Sequence, residues 1–339
     1  MSIASQVALA SYGNMFSIGT AYALSIVQFE IPRLFKVSHE QSFAPFGAVS
    51  AGLAIGVATA ASSISKNGAR SAVGRSAIGP LGFSSGAAAT FTLSSFLSFN
   101  MRGAEDIGDF LKIGGMTFVA VGAATQLLLP DDTTNGQPQS ASSPLEKKSE
   151  NFAKGTFWIL LFFNALPGMV AFSVLLPGVS HYRSTDHGSP GNYLPYTMAA
   201  LAGGGLLATP LNSFLGLKSI FVVLFSLRTM LLLALWQKPN QALALVTLCA
   251  ILFAHGAGFS ILPGLIKSRL VEPANFPREY GRVLTAWGAA GVVASGLNAT
   301  VKSSSGDLGA LSLAIGSLLL VAAVALVATP LGVKDRIIV

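Results

Sequence analysis

The stretch ALALVTLCAILFAHGAGFSILPG, residues 242–264, contains no Asp, Glu, Lys or Arg and only one histidine, His255. About 20 mainly apolar residues in a helix are enough to cross the hydrocarbon core of a bilayer, and this stretch meets that length. Similar stretches recur along the chain. The expected spans are 13–32, 44–64, 78–99, 113–129, 156–179, 193–215, 219–236, 242–264, 283–301 and 308–332. Lipid offers no partner to a backbone N–H or C=O, so each span must close its hydrogen bonds internally. The fold class that follows is an all-α integral membrane protein of about ten transmembrane helices.

Composition supports this from another direction. The 339 residues are 52% apolar and 10% charged, with a mean hydropathy of +0.62. That is too little charge to coat a soluble surface. A net charge of +7 would suggest nucleic acid as partner in a soluble protein. Here the basic residues sit in short loops between apolar spans, so the expected partner is the lipid bilayer and no nucleic acid. With both termini cytoplasmic, the inner loops hold thirteen Lys and Arg and the outer loops seven, and Arg228 inside a span completes the 21. That excess sets the expected orientation. The single cysteine, Cys249, excludes an intramolecular disulfide and a cysteine-based metal cluster. The start, MSIASQVALASYGNMFSIGTAYAL, lacks a basic leader, so the first helix is expected to remain and act as its own insertion signal.

Between the fourth and fifth spans runs PDDTTNGQPQSASSPLEKKSEN, residues 130–151, with little apolar surface to bury. It reads as a flexible cytoplasmic linker. The expected organisation is an N-terminal bundle of about four helices (1–130), a linker (131–153) and a C-terminal bundle of six (154–339). Glycine is frequent inside the spans, as in AGGGLL (202–207), HGAGFS (255–260) and WGAAGVVASG (287–296). In lipid such small residues let helices approach closely, in static bundles and in ones that rock.

Ionisable groups inside the spans are few, which singles out the exceptions. Arg228, in IFVVLFSLRTMLLLALW (220–236), falls near the middle of its span, where a charged side chain costs about 2.5 kcal/mol or more. It reads either as an anion-binding charge facing a central cavity or as a guanidinium bonded to a neighbouring helix's carbonyls. His255 could take up a proton in a proton-coupled carrier, or simply pack between helices. Glu30 and Arg33 stand about one turn apart at the end of the first span and read as an interfacial ion pair or a gate. His181 and His187 lack partners at metal-ligand spacing, so no metal site is expected. No Walker loop, GxSxG elbow or HExxH occurs, and neither a cofactor nor an enzyme active site is expected. Asn298-Ala299-Thr300 is a glycosylation sequon placed too near the membrane to be a good acceptor.

The segment FAHGAGFSILPGLIKSRLVEPANFPREYGRVLTAWGAAGVV (253–293) resembles the tenth helix, following loop and eleventh helix of the major facilitator superfamily, and within it the oxalate/formate antiporter and monocarboxylate transporter group. The match rests on Gly256, Gly258, Phe259, Pro263, Phe276, Tyr280, Gly281, Thr285, Ala286, Trp287, Gly288 and Gly291. GTAYALS (19–25) resembles the family's first helix, and GGGLLATPLNSFLGLK (203–218) its loop between helices eight and nine. In that loop the family's latch charges are replaced by Gly204-Gly205, Asn212-Ser213 and Gly216-Leu217-Lys218. The resemblance implies a two-bundle fold. ARSAVGRSAIGPLGFSSGAAATF (69–91) is similar to the family's fifth-helix region, which leaves an N-terminal half lacking one hairpin, four helices against six. It also implies gating roles for Asn212, Ser213, Gly216, Lys218, Gly281, Arg282, Trp287 and Gly288. Dicarboxylate antiporters of this kind use basic residues in helices eight and eleven. Here helix eight, YLPYTMAALAGGGLLATPL, has none and helix eleven has only Lys302 at its end, so those substrate residues do not carry over and Arg228, one helix away, is only a candidate substitute.

The expected function is secondary transport of a small organic anion, such as a monocarboxylate, oxalate or formate, by alternating access. The expected binding groups are helix-end dipoles with Tyr22, Asn164, Tyr196, Arg228 and His255. A proton or a counter-anion is the expected coupled partner. The alternatives are a non-transporting sensor or scaffold derived from a carrier, and a carrier of a neutral solute.

Overall fold

A computed structural model describes the backbone of residues 144–171, 194–215, 217–237, 240–269, 276–304 and 308–328, together with positions 36, 37, 41, 47, 48, 50, 51, 109, 116, 120 and 175. The described part is helical throughout its long elements: α1 (Pro144–Val170), α2 (Leu194–Leu215), α3 (Leu217–Trp236), α4 (Gln241–Arg269), α5 (Phe276–Ser304) and α6 (Leu308–Ala328). These coincide in order and position with the six spans expected after the linker. The spans at 13–32 and 78–99 lie outside the described residues, as do Glu30, Arg33, His181 and His187. Positions 47, 48, 50 and 51, within the span at 44–64, are helical, and so are 116 and 120, within that at 113–129.

Where the helices depart from the expected spans, local chemistry explains it. α1 begins at Pro144, inside the stretch expected to be a flexible linker. Proline suits a first helical position because its missing N–H has no partner there in any case. The Leu, Glu and Lys residues that follow are good helix formers, so the helix starts in polar sequence ahead of the apolar span. At Ala171 and Leu175 the backbone takes the wider π-helical form. α4 and α5 similarly run past their apolar cores into polar ends, because a helix does not stop where the hydrocarbon does. The start of α4 is fixed by Asn240, whose Oδ1 accepts a bond from the Leu243 amide at 2.9 Å and whose carbonyl accepts from the Ala244 amide at 2.9 Å. This is an N-cap, which satisfies an amide that has no partner inside the helix. Replacing the cap, Asn240→Ala, is expected to cost about 1 kcal/mol, read as a lowered thermal midpoint of the detergent-solubilised protein with function intact.

α4 packs most extensively on α2, α3 on α6, and α5 on α1, while α4 also lies against α1 and α3. The α2–α4 contact is nearly backbone to backbone. A Cβ at Gly204 would collide with the Phe253 carbonyl, and one at Gly256 with the Leu201 carbonyl. α5 also meets helical residues of the N-terminal half, where Ser50 fills the notch at Gly291. Lys218 at the start of α3 donates from Nζ to the Val327 carbonyl at 2.8 Å, which satisfies an orphan carbonyl at the end of α6.

The outer faces are apolar. Met230 on α3, Val246 on α4 and Val321 on α6 are 67%, 64% and 65% exposed. The segments Lys218–Trp236, Ala242–Ile266 and Gly309–Ala328 are long and apolar enough to cross a membrane. Helices apolar both toward their neighbours and away from them are solvated by lipid, not water.

Candidate functional site

Three of the residues expected to matter, Asn164, Arg228 and His255, come from α1, α3 and α4 and meet in one buried cluster. Arg228 and Asn164 are fully buried and His255 is 2% exposed. Arg228 donates from Nε to the Leu224 carbonyl one turn back in its own helix, at 3.1 Å. Its Nη1 donates to the Asn164 carbonyl at 2.7 Å, and its Nη2 to Asn164 Oδ1 at 2.9 Å. Asn164 Nδ2 in turn donates to the His255 carbonyl at 3.2 Å. His255 Nδ1 lies 2.9 Å from the Asn164 carbonyl. A carbonyl can only accept, so Nδ1 carries the proton in this bond. The Phe225 ring lies beneath the guanidinium, 5.3 Å from Cζ to its centre, a cation–π arrangement.

Sequence places each group locally. Asn164 and Pro167 share one turn of α1, and Pro167 takes an N–H out of the helix ladder there. His255 and Gly258 share one turn of α4. A Cβ at Gly258 would collide with Asn164 Oδ1, and one at Gly168 would stand 2.7 Å from His255 Nδ1. The amide and the imidazole are thus each seated in a glycine notch on the facing helix. Gly258 carries part of the family resemblance but not this role, and Gly168 was not singled out by sequence. The available signal was Gly258 three residues after His255 and Gly168 directly after Pro167, but it becomes one only when the pairing of α1 with α4 is known.

The electrostatics are unbalanced. All of the partners found for Arg228 are neutral: two carbonyls, one amide oxygen and one aromatic face. Among the described residues no carboxylate pairs with it. Burying a full charge without a counter-charge is costly, and the carbonyl dipoles and the ring offset only part of that cost. The arrangement can therefore stabilise added negative charge.

The other expected site residues stand elsewhere. Tyr196, in the first turn of α2, is 64% exposed and joins none of the bonds of the cluster. Tyr22 and Gly216 lie outside the described residues, and of Asn212 and Ser213 only the backbone, in the last turn of α2, is described. Arg282 pairs with Glu279 one turn away at 3.0 Å. Gly281, Trp287 and Gly288 are buried on α5. A second inter-helix link was not anticipated: Trp158 of α1 donates from Nε1 to Thr285 Oγ1 of α5 at 3.0 Å. Thr285 Oγ1 donates to the Arg282 carbonyl at 2.6 Å. Asn298 of the sequon is 1% exposed, buried within α5.

Comparison with solved structures identifies the fold. The chain is similar to the Escherichia coli fucose:proton symporter, with a TM-score of 0.56 and 14% identity over 96% of each chain. It is similar to a bacterial homologue of the iron transporter ferroportin in an outward-facing state, with a TM-score of 0.55 and 14% identity over 97% of this chain and 100% of that one. It is also similar to a bacterial homologue of the lysosomal transporter Spinster, with a TM-score of 0.52 and 15% identity over 99% and 98%. The chain shares the all-α membrane fold of these solved transporter structures. No protein-family model matches the sequence, and no curated protein does.

Proposed function

We propose that the protein is a secondary transporter of a small organic anion, a monocarboxylate, oxalate or formate, that works by alternating access of two helical bundles. The observation that carries this reading is Arg228, a fully buried cation inside a membrane bundle whose described partners are all neutral. A carboxylate is the natural complement of a planar guanidinium, which offers it two parallel donors. The fold supports the transporter part of the reading, and the group resemblance over residues 253–293 supports the substrate class. The two bundles are the segments before and after residues 131–153. The test is uptake of labelled formate, lactate, pyruvate and oxalate by proteoliposomes holding the full chain. Flux above empty vesicles for at least one of them is expected, and none for any would remove the anion reading.

His255 supplies the coupling step in this reading. Its Nδ1 proton is committed to the Asn164 carbonyl, which leaves Nε2 as the nitrogen able to take a second proton. The positive charge so added is tolerated when an anion sits beside Arg228, so anion and proton move together. The similar fucose carrier is a proton symporter. Uptake should therefore rise when the outside is made more acidic than the lumen. In His255→Gln that stimulation should vanish; a variant that keeps the wild-type response removes the histidine from coupling.

A further inference from the structure

We infer that Asn164 is a built-in stand-in for the substrate carboxylate, holding the guanidinium of Arg228 in a self-occupied state that the arriving anion must displace; this rests on the anion reading above. The two terminal nitrogens of Arg228 do not bond to two different neighbours. Both bond to one residue: Nη1 to the Asn164 carbonyl at 2.7 Å and Nη2 to its Oδ1 at 2.9 Å. These are the lengths of charge-assisted bonds, and the pattern of parallel donors meeting paired oxygens is the one a bidentate carboxylate makes with arginine. Asn164, through its backbone carbonyl and its side-chain amide oxygen, presents two acceptors to the fork without a carboxylate's full charge. It can therefore keep the fork aligned and dry while yielding to a true anion, whose full negative charge is the stronger acceptor.

The surroundings allow this exchange. The side chain of Asn164 lies in the notch at Gly258, and a Cβ there would collide with Oδ1, so a single methyl group at position 258 would dislodge the amide. The Asn164 carbonyl would not be orphaned when Arg228 turns to the substrate, because His255 Nδ1 also donates to it. The Asn164 Nδ2 bond to the His255 carbonyl ties the amide to the same helix that carries Gly258. Displacement of the amide is thus felt directly by α4, which joins substrate arrival to movement of a second helix.

The experiment measures binding of radiolabelled oxalate and formate to the full chain in detergent, for wild type, Asn164→Ala, Asn164→Asp and Gly258→Ala, with thermal midpoints recorded in parallel. Asn164→Ala removes the side-chain acceptor Oδ1, leaving only the backbone carbonyl, and by freeing Nη2 should bind at least one anion about tenfold more tightly than wild type. Gly258→Ala should shift affinity in the same direction. Asn164→Asp keeps the shape and supplies a permanent internal carboxylate, so anion binding should be lost while the thermal midpoint rises. If Asn164→Ala is too unstable to measure, Asn164→Asp and Gly258→Ala decide. Wild-type binding with unchanged or weaker binding in Asn164→Ala or Gly258→Ala would overturn the stand-in role and leave the anion reading in place. Retained binding in Asn164→Asp would do the same. Failure of wild type and every variant to bind either anion would overturn both.

Discussion

Gly256→Leu should abolish recovery of a folded, monodisperse protein from detergent, and Gly204→Val should come close to doing so. At both positions the added carbon meets backbone, the Leu201 carbonyl in one case and the Phe253 carbonyl in the other. Backbone cannot turn aside as the end of a flexible side chain can. Overpacking a tight contact costs about 1–3 kcal/mol when side chains can adjust; here the two helices must separate along the most extensive contact among the described helices. The control is in the same protein. At Gly155 and Gly296 an added Cβ meets nothing within 4 Å, so Gly155→Ala and Gly296→Ala should be neutral or raise stability by up to about 1 kcal/mol through helix propensity. Size-exclusion profiles and thermal midpoints of the four variants check this. Indistinguishable behaviour would mean that α2 and α4 do not approach as described.

Arg228→Met should lower stability by about 1–3 kcal/mol, because Asn164 Oδ1 is then buried without a donor. The loss comes from the orphaned partner more than from the missing charge. The double substitution Arg228→Met with Asn164→Leu removes both members of the pair and should regain most of that stability, since replacing both partners of a buried polar contact by apolar groups is close to neutral. Transport should be lost in both. Thermal midpoints and uptake measured on the same preparations separate the two roles. A double variant that is stable and still carries anions would relegate Arg228 to packing.

How far the sequence alone could reach differs between fold and site. All six described spans were legible as runs of apolar residues, because lipid demands the same length and greasiness of each. The ends were less so: the polar residues from Pro144 to Asn151 continue α1, and hydropathy does not register helix propensity or a proline at a first turn. For the site, scarcity of charge pointed to Arg228 and His255 directly. Asn164 was visible as one polar group among several. That these three share one cluster while Tyr196 stands exposed could not be read, since it depends on how α1, α3 and α4 are rotated against one another. Composition is nearly uniform around such helices, so periodicity carries little information about facing. The notches at Gly168 and Gly258 were hidden for the same reason: a glycine shows its purpose only once its neighbour is known.

In the proposed reading, anion transport depends on the buried charge of Arg228. Its most direct test is counterflow of the labelled anion into proteoliposomes by Arg228→Gln, which keeps a donor for Asn164 but loses the charge, alongside wild type at equal folded protein. Accumulation by wild type and none by Arg228→Gln is the predicted result. Equal accumulation by both proteins would leave the charge of Arg228 without a role in transport.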